Sequence, residues 1–416
     1  MSPIPGSRTV TLCISGATIF FLFGVLLNFQ RVIGSLNLSL ADLLIFPLLV
    51  YLVATNMLRL DKVMLAVTLY LILYLVTASA LFVPFQYKVS IDVSSLLIGF
   101  VKQAVLFIYL FIGFSLRSTP FEREAIKGVV IGSFVSAVVS ILFLISGIST
   151  LRALVVDSDR LIGFSNDPNF FATVQCAALG LLLFGQTFAM STYRKWAILA
   201  ITVSVLLTAS KSGLLFMTAI YITFMGLTFK HRNLKMLFLV VVVLIISFVG
   251  ILFCRDEITQ LIPAFERIIR LFENFGYALN ADGSSRSVVW DLAINIISSS
   301  PFGIGNSAFW VIAERFGGDN LAHNTYLQLA IEWGLINAVV FVFCLFYMLA
   351  YSIFTRRQHD AAIVLLVMLM FSMTLSLNNS RLLWFVIGLM AMDHVQVVLA
   401  NQRRRLAYGF EGSREC

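Results

Sequence analysis

The chain has 416 residues, 60% of them hydrophobic and 12% charged, with a mean hydropathy of +0.95 and a formal net charge of +8. Soluble domains carry roughly 45–50% apolar and about 25% charged residues, so this composition excludes a soluble globular protein and predicts a polytopic membrane protein. The positive charge comes without a basic patch interleaved with aromatics, which sets nucleic acid aside as a partner and assigns the charge to loops on one side of a lipid bilayer.

An apolar run of about 20 residues crosses a bilayer as a helix. Such runs stand near residues 10–29, 36–57, 63–83, 95–116, 125–146, 169–190, 196–209, 212–229, 234–254, 325–354, 361–378 and 382–399. The first is longer than the apolar core of a signal peptide and no small-residue cleavage site follows it, so it reads as a retained helix. The seventh and eighth are parted only by "ASKSG", and splitting them there keeps the loop charges in phase. With the N-terminus inside, the inner segments hold Arg8, then Arg59 and Lys62, Arg117 and Arg123, Arg194 and Lys195, Lys230 with Arg232 and Lys235, Arg356 and Arg357, and a tail with Arg403, Arg404 and Arg405. All of them are basic, as inner segments are expected to be, while the outer segments are balanced or acidic.

The sequence therefore predicts an all-α fold of about 12 transmembrane helices. It forms a single integral membrane domain over 1–416 with both termini cytoplasmic. Cys13, Cys176, Cys254, Cys344 and Cys416 are scattered without metal-ligand or CxxC spacing and serve best as small apolar fillers.

One outer segment is long: residues 255–322, between the ninth and tenth runs. Loops of that length tend to carry function. In "ITQLIPAFERIIRLFENF" the apolar residues Ile258, Leu261, Ile262, Phe265, Ile268, Ile269 and Phe272 recur at helical spacing, which predicts a helix on the membrane surface or over a cavity. "GSSRSVVWDLAINIISSSPFGIGNSAF" predicts a second helix, ended by a Pro/Gly turn.

The residues able to carry chemistry gather at the outer face. Arg286 falls in the first turn of that second helix, with Ser284 or Ser285 as its N-cap. A cation there opposes the helix dipole unless an anion sits nearby, and a helix N-terminus with an arginine donates well to diphosphate oxygens. The alternative is a local pair with Asp282 or an exposed arginine. His323 precedes Asn324 and Thr325, a helix start, at the mouth of the tenth run. Its imidazole titrates near neutrality and can take a proton from an attacking hydroxyl; otherwise it is an interfacial histidine anchoring a helix end.

"DRLIGFSNDPNFFA" is a turn and helix entry with Pro168 near the first helical position. Arg160 there either pairs with Asp157 or Asp159 or acts as an anion ligand. Lys211, a lone cation on the turn between the seventh and eighth runs, either binds an anion or snorkels to the surface. Lys102, about two turns inside the fourth run, should face the bundle interior, and Arg381 is a further outer-face cation. No metal-binding acidic pair, Walker sequence, HExxH or GxSxG occurs. Fixed cations with one imidazole suit a metal-independent reaction with an anionic leaving group, needing no cofactor.

The stretches "RLIGFSNDPNFFA", "LLTASKSGLL", "SRSVVWDLAINIISSSPFGIGNSAF" and "AHNTYLQLAIEWGLINAVVF", in that order, resemble the O-antigen polymerase and ligase superfamily of bacterial membrane glycosyltransferases. The resemblance covers residues 160–342 and implies an enzyme of the inner membrane whose periplasmic active site includes the 255–322 loop. Its substrate would be an undecaprenyl-diphosphate-linked oligosaccharide. It implies that His323 activates the acceptor hydroxyl and that Arg286 holds the donor diphosphate, with Lys211 standing where the family usually has an arginine. Arg160 would assist as a further diphosphate ligand, and Asn324, Lys102 and Arg381 are additional candidates.

On this reading the enzyme is an inverting glycosyltransferase. It either polymerises repeat units of O-antigen, capsule or exopolysaccharide, the favoured expectation, or ligates polysaccharide to lipid A core. A flippase and a chain-length regulator are the expected partners besides the bilayer. The competing class is a lipid-linked oligosaccharide transporter with Lys102 and Arg160 as substrate ligands.

Overall fold

In a computed structural model, residues 6–33, 36–187, 193–228, 266, 269, 286–315, 322–355 and 360–391 are described. The described part is almost entirely helical, with two short antiparallel hairpins. In chain order it comprises α1 Gly6–Leu26, the strands β1 Gln30–Ile33 and β2 Leu36–Ser39, α2 Ile45–Ala54, α3 Lys62–Thr77, α4 Val83–Tyr87, α5 Val93–Leu116 and α6 Pro120–Ile145. Next come α7 Ser149–Val155, β3 Val156–Asp157 paired with β4 Arg160–Leu161, α8 Pro168–Phe184, α9 Arg194–Leu207 and α10 Lys211–Thr228. The remainder is α11 Arg286–Ser299, α12 Phe309–Arg315, α13 Thr325–Trp333, α14 Leu335–Thr355, α15 Asp360–Phe371 and α16 Arg381–Ala391.

Among the described residues, five helical stretches are long and apolar enough to cross a membrane: Lys62–Tyr87, Val93–Leu116, Pro120–Ile145, Lys211–Thr228 and Leu335–Thr355. Large apolar side chains such as Phe46, Leu73, Phe100, Phe343 and Phe354 point outward, a surface suited to lipid and costly in water. The buried core is aromatic at its centre, where Phe23 stacks on Tyr109 and meets Phe385 edge-on, and Trp333 and Trp384 pack on Phe341. Polar side chains tie helices together inside it. The Asn28 amide donates to the Val129 carbonyl at 3.1 Å and accepts from the Ser133 hydroxyl at 2.6 Å, the kind of contact that holds helices where lipid supplies no hydrophobic drive.

The seventh and eighth runs are separate helices, α9 and α10, as "ASKSG" predicts; Ala209 in the turn between them takes a left-handed backbone, φ 48°. Three other expectations change. The run at 36–57 begins as β2 and a short 3₁₀ turn, Leu40–Leu44, before α2. Ser39 caps that turn by accepting from the Ala41 N–H, and its own N–H donates to Asp42, which ends the preceding strand.

The run at 63–83 continues to Tyr87 through a π-helical bulge, Ala78–Phe82. The run at 325–354 is two helices, broken at Gly334 with φ 77°. A break within apolar surroundings strands backbone groups, and the Pro301–Gly305 turn supplies their partners. The N–H groups of Ile304 and Gly305 donate to the carbonyls of Ile331 and Glu332 at 2.9 and 3.0 Å, and the Leu335 N–H donates to the Pro301 carbonyl at 2.9 Å. Ser79, in the π bulge, donates to the Ile304 carbonyl from the other side at 3.0 Å. The "GIG" of the sequence is thus a clasp between two membrane helices rather than a plain turn.

The predicted second loop helix is α11, ended by this same turn. Of the predicted helix over 258–275, only Glu266 and Ile269 are among the described residues, both helical, with Ile269 buried. The 234–254 run and Ser284 and Ser285 lie outside the described residues.

Helix ends gather in two groups. Arg59 donates to the Arg117 carbonyl, Arg194 to the Leu182 carbonyl, and Asp360 accepts from the Gln186 N–H and the Thr187 hydroxyl. The β1–β2 hairpin, the 157–170 segment, the α9–α10 turn, the start of α13 and the 372–380 loop meet at the other end, where the candidate site lies.

Candidate active site at one set of helix ends

Four segments enclose a cavity of about 180 Å³ lined by Gln30, Asn166, Asp167, Phe170, His323, Leu375, Ser376, Asn379 and Ser380. Each is placed by backbone and capping contacts. Gln30 leads strand β1 and its N–H donates to the Phe164 carbonyl at 3.1 Å, which binds the hairpin to the 164–167 turn. Asp167 is the N-cap of α8, accepting from the N–H groups of Asn169 and Phe170 at 2.7 and 2.9 Å, with Pro168 at the first helical position. That geometry follows from the Asp-Pro sequence: the carboxylate satisfies orphan N–H groups and proline has none to satisfy.

His323 stands just before α13 in a left-handed backbone, φ 46°, a region that histidine enters more readily than most side chains. Asn324 then caps α13, its side-chain oxygen accepting from the N–H groups of Tyr326 and Leu327 and its amide donating to the Met373 carbonyl. Thr325 fastens the helix start to the opposite wall: its N–H donates to the Ser372 carbonyl, its hydroxyl to the Leu375 carbonyl, and the Leu377 N–H donates to that hydroxyl. The role of Asn324 is therefore to cap and orient, and His323 is held between a capped helix and a clamped loop.

The predicted cations divide into three groups. Arg160 reaches the α9–α10 turn, donating to the Thr208 carbonyl at 2.9 Å and to the Asn169 side chain at 3.2 Å. The same Asn169 oxygen accepts from the Ser210 hydroxyl at 2.8 Å, so Arg160 and the residue preceding Lys211 share one acceptor. The turn that precedes Lys211 is thus tied to Arg160 beside the first turn of α8, whose other side lines the His323 cavity. Arg286 opens α11, and one turn on the Trp290 indole donates to the Ala322 carbonyl at 3.0 Å. This contact anchors the start of α11 beside the residue that precedes His323.

Lys102 and Arg381 lie elsewhere. They line a smaller cavity of about 40 Å³ with Leu106 and Asn379, and Asn379 belongs to both cavities. Arg381 is committed to Asp42, at 3.0 Å, and Asp42 also accepts from the Tyr109 hydroxyl at 2.7 Å. Lys102 faces the interior, as a charge within an apolar helix must. A buried polar cluster lies nearby, in which Glu332 accepts from the Gln328 and Asn378 amides at 2.7 and 3.0 Å. Among the described residues, no three His, Cys, Asp or Glu side chains come close enough together to hold a metal ion.

Sequence reasoning missed Gln30, Asn166, Ser376 and Asn379. They are uncharged and come from three distant segments, so spacing along the chain carried no signal. "NDPN" flagged their neighbourhood only as a turn. Chemically, the arrangement places a histidine on the wall of a cavity of mixed polar and apolar lining, with Arg160 anchored at Asn169 on the first turn of α8.

Residues 196–342 match a family model described as O-Antigen ligase, a span that takes in Lys211, Arg286 and His323 and leaves out Lys102, Arg160 and Arg381. The resemblance read from the sequence is borne out over that span, and the match supports an enzyme. No curated protein matches the chain.

Proposed function

We propose, starting from that family match, that this chain is a glycosyltransferase of the bacterial inner membrane that polymerises undecaprenyl-diphosphate-linked oligosaccharide repeat units for O-antigen, capsule or exopolysaccharide. The membrane arrangement in this reading is the full set of about 12 spans with both termini cytoplasmic and the His323 end in the periplasm, beside the 255–322 loop. The basic inner segments support it.

The observation that carries the reading is the placing of His323 on the wall of a cavity shared with Asn166, Asp167 and Asn379, with the Arg160–Asn169–Ser210 contacts and the start of α11 beside it. In the reaction, His323 takes the proton of an acceptor hydroxyl. The freed oxygen attacks the anomeric carbon of the donor sugar as the bond from that carbon to the diphosphate oxygen breaks. Undecaprenyl diphosphate leaves with the electron pair, and Arg286, Lys211 and Arg160 stabilise its charge. Attack opposite the leaving group inverts the anomeric centre, and the imidazolium returns its proton to water. Fixed cations meet the leaving-group charge, so the scheme uses no metal or other cofactor. A flippase supplies the donor to this face, and a chain-length regulator acts on the product.

A ligase is the second reading, favoured by the description of the matching family; it differs only in taking lipid A core as acceptor. Lipid-linked and envelope-attached saccharide are compared by gel and mass spectrometry in cells lacking the gene. A single repeat unit with no long chains is the expected outcome. Long chains stranded on the lipid carrier would replace polymerase with ligase. Normal saccharide in cells carrying His323→Ala would remove both in favour of a transporter.

A further inference from the structure

The 372–380 loop supplies Ser376, Asn379 and Ser380 to the His323 cavity, and two buried charged side chains hold its tip. On one side Arg381, paired with Asp42 at 3.0 Å, donates to the Asn379 carbonyl at 3.4 Å. On the other, the Glu332 carboxylate accepts from the Asn378 side-chain amide at 3.0 Å and from the Gln328 amide at 2.7 Å. Glu332, Gln328 and Asn378 are only 8%, 1% and 6% exposed. Asn379, the next residue, lines both the His323 cavity and the smaller cavity beside Lys102.

A carboxylate costs more here than a tether requires. Burying it in an apolar helix carries a large desolvation penalty, and neutral groups suffice to tie a helix to a loop. Lys102 is close enough for its charge to act on Glu332, which offsets part of that penalty. Both amide partners also give something up. Gln328 Oε1 and Asn378 Oδ1 are buried without a hydrogen-bond partner in the structure, so each amide turns its N–H to the carboxylate and leaves its own acceptor unmet. The carboxylate therefore dictates how Asn378 is turned. The main chains are fixed as well: the Glu332 carbonyl accepts from the Gly305 N–H at 3.0 Å, within the clasp at the α13 break, and the Asn378 carbonyl accepts from the Trp384 indole at 2.7 Å.

We infer that Glu332 is a positioning residue for the active site: acting through Asn378, it sets the wall that brings Asn379 into the His323 cavity. The inference rests on the transferase reading above and adds the group that holds the cavity in shape. Glu332 meets no substrate in this role. A glutamine in its place has one acceptor oxygen and turns an N–H₂ toward one of the two donors.

Exchanging the partners tests the link. In the double variant Glu332→Gln with Asn378→Asp, the carboxylate moves to the loop, and the amide now on α13 donates to it while accepting from Gln328. Purified full-length proteins in nanodiscs are treated with diethyl pyrocarbonate, and mass spectrometry reads modification at His231, His323, His359 and His394. Saccharide gels with an immunoblot measure product in cells, and monodispersity and melting temperature identify misfolded variants. Glu332→Gln should change the modification rate of His323 and not of the other three histidines, and lower product roughly 10- to 100-fold. The exchange should restore both. If either variant fails to fold, Asn378→Ala breaks the same link from the loop side and should shift His323 reactivity likewise.

Unchanged His323 reactivity in the folded variant would overturn the inference, as would a folded exchange variant that does not restore it. If His323→Ala abolishes assembly while folded Glu332→Gln assembles normally, the positioning role falls and the transferase reading stands. If His323→Ala leaves assembly intact while Glu332→Gln alters His323 reactivity and the exchange restores it, the transferase reading fails and the hold of Glu332 on the cavity wall survives.

Discussion

The Trp290 indole donates to the Ala322 carbonyl at 3.0 Å, and through that one bond the helix opened by Arg286 is registered against the residue before His323. Trp290→Phe keeps the ring and removes the donor. On the proposed roles of Arg286 and His323, the expected result is normal protein level with product formation lowered roughly 10- to 100-fold, because small displacements of catalytic groups cost rate steeply. Saccharide gels alongside an immunoblot measure both. Full activity would show that α11 is held in place by its other contacts.

His323 occupies a left-handed backbone, so its replacement has two separable effects. Asparagine tolerates that conformation and has no basic nitrogen, so on the proposed mechanism His323→Asn should melt close to the wild type and form no saccharide product. His323→Ala should also form none, and should lose up to about 1 kcal/mol of stability from the strained backbone. Residual product from the asparagine variant would remove the histidine from proton transfer.

Lys211 follows a turn whose Ser210 shares the Asn169 acceptor with Arg160. Lys211→Arg preserves charge and adds a fork suited to phosphate, so on the proposed role saccharide product should persist; Lys211→Met should abolish it at unchanged protein level. Asn169→Ala strips the shared acceptor, leaving buried donors unmet at about 1–3 kcal/mol, and should lower both melting temperature and activity.

The Arg381–Asp42 pair is mostly buried, with side-chain exposures of 9% and 16%. Removing one partner leaves an uncompensated charge, at a cost of roughly 3–5 kcal/mol. Arg381→Ala and Asp42→Ala should each destabilise strongly, and the double variant should destabilise by much less than their sum. Additive losses in a thermal double-mutant cycle would contradict the pairing.

At Gly334, a Cβ would stand 2.6 Å from the backbone of Phe302, and at Gly305 one would stand 2.0 Å from the Ser79 hydroxyl oxygen. Both glycines have positive φ. Gly334→Ala and Gly305→Ala should each cost more than about 2 kcal/mol, read as lost folded protein by fluorescence-detected size exclusion in detergent.

The sequence by itself determined what depends on local chemistry. Apolar run length and loop charge predicted a helical membrane protein, and "ASKSG" divided α9 from α10. Asp-Pro and His-Asn-Thr marked the entries to α8 and α13, because capping residues act on N–H groups within a few positions. The His323, Arg286 and Lys211 stretches carried the family resemblance.

Only the tertiary structure decided what depends on contacts across long separations. The break at Gly334 was invisible in a continuous apolar run, since the groups that satisfy it come from Pro301–Gly305 and Ser79. Arg160 and Ser210, the residue before Lys211, came together through Asn169, whereas Lys102 and Arg381 proved to share a separate cavity. The polar lining around His323 came from Gln30, Asn166 and the 372–380 loop, uncharged residues whose meaning lies in the space they enclose. Hydropathy and helix capping are properties of neighbouring residues; a cavity is a property of the packing, which no window along the chain contains.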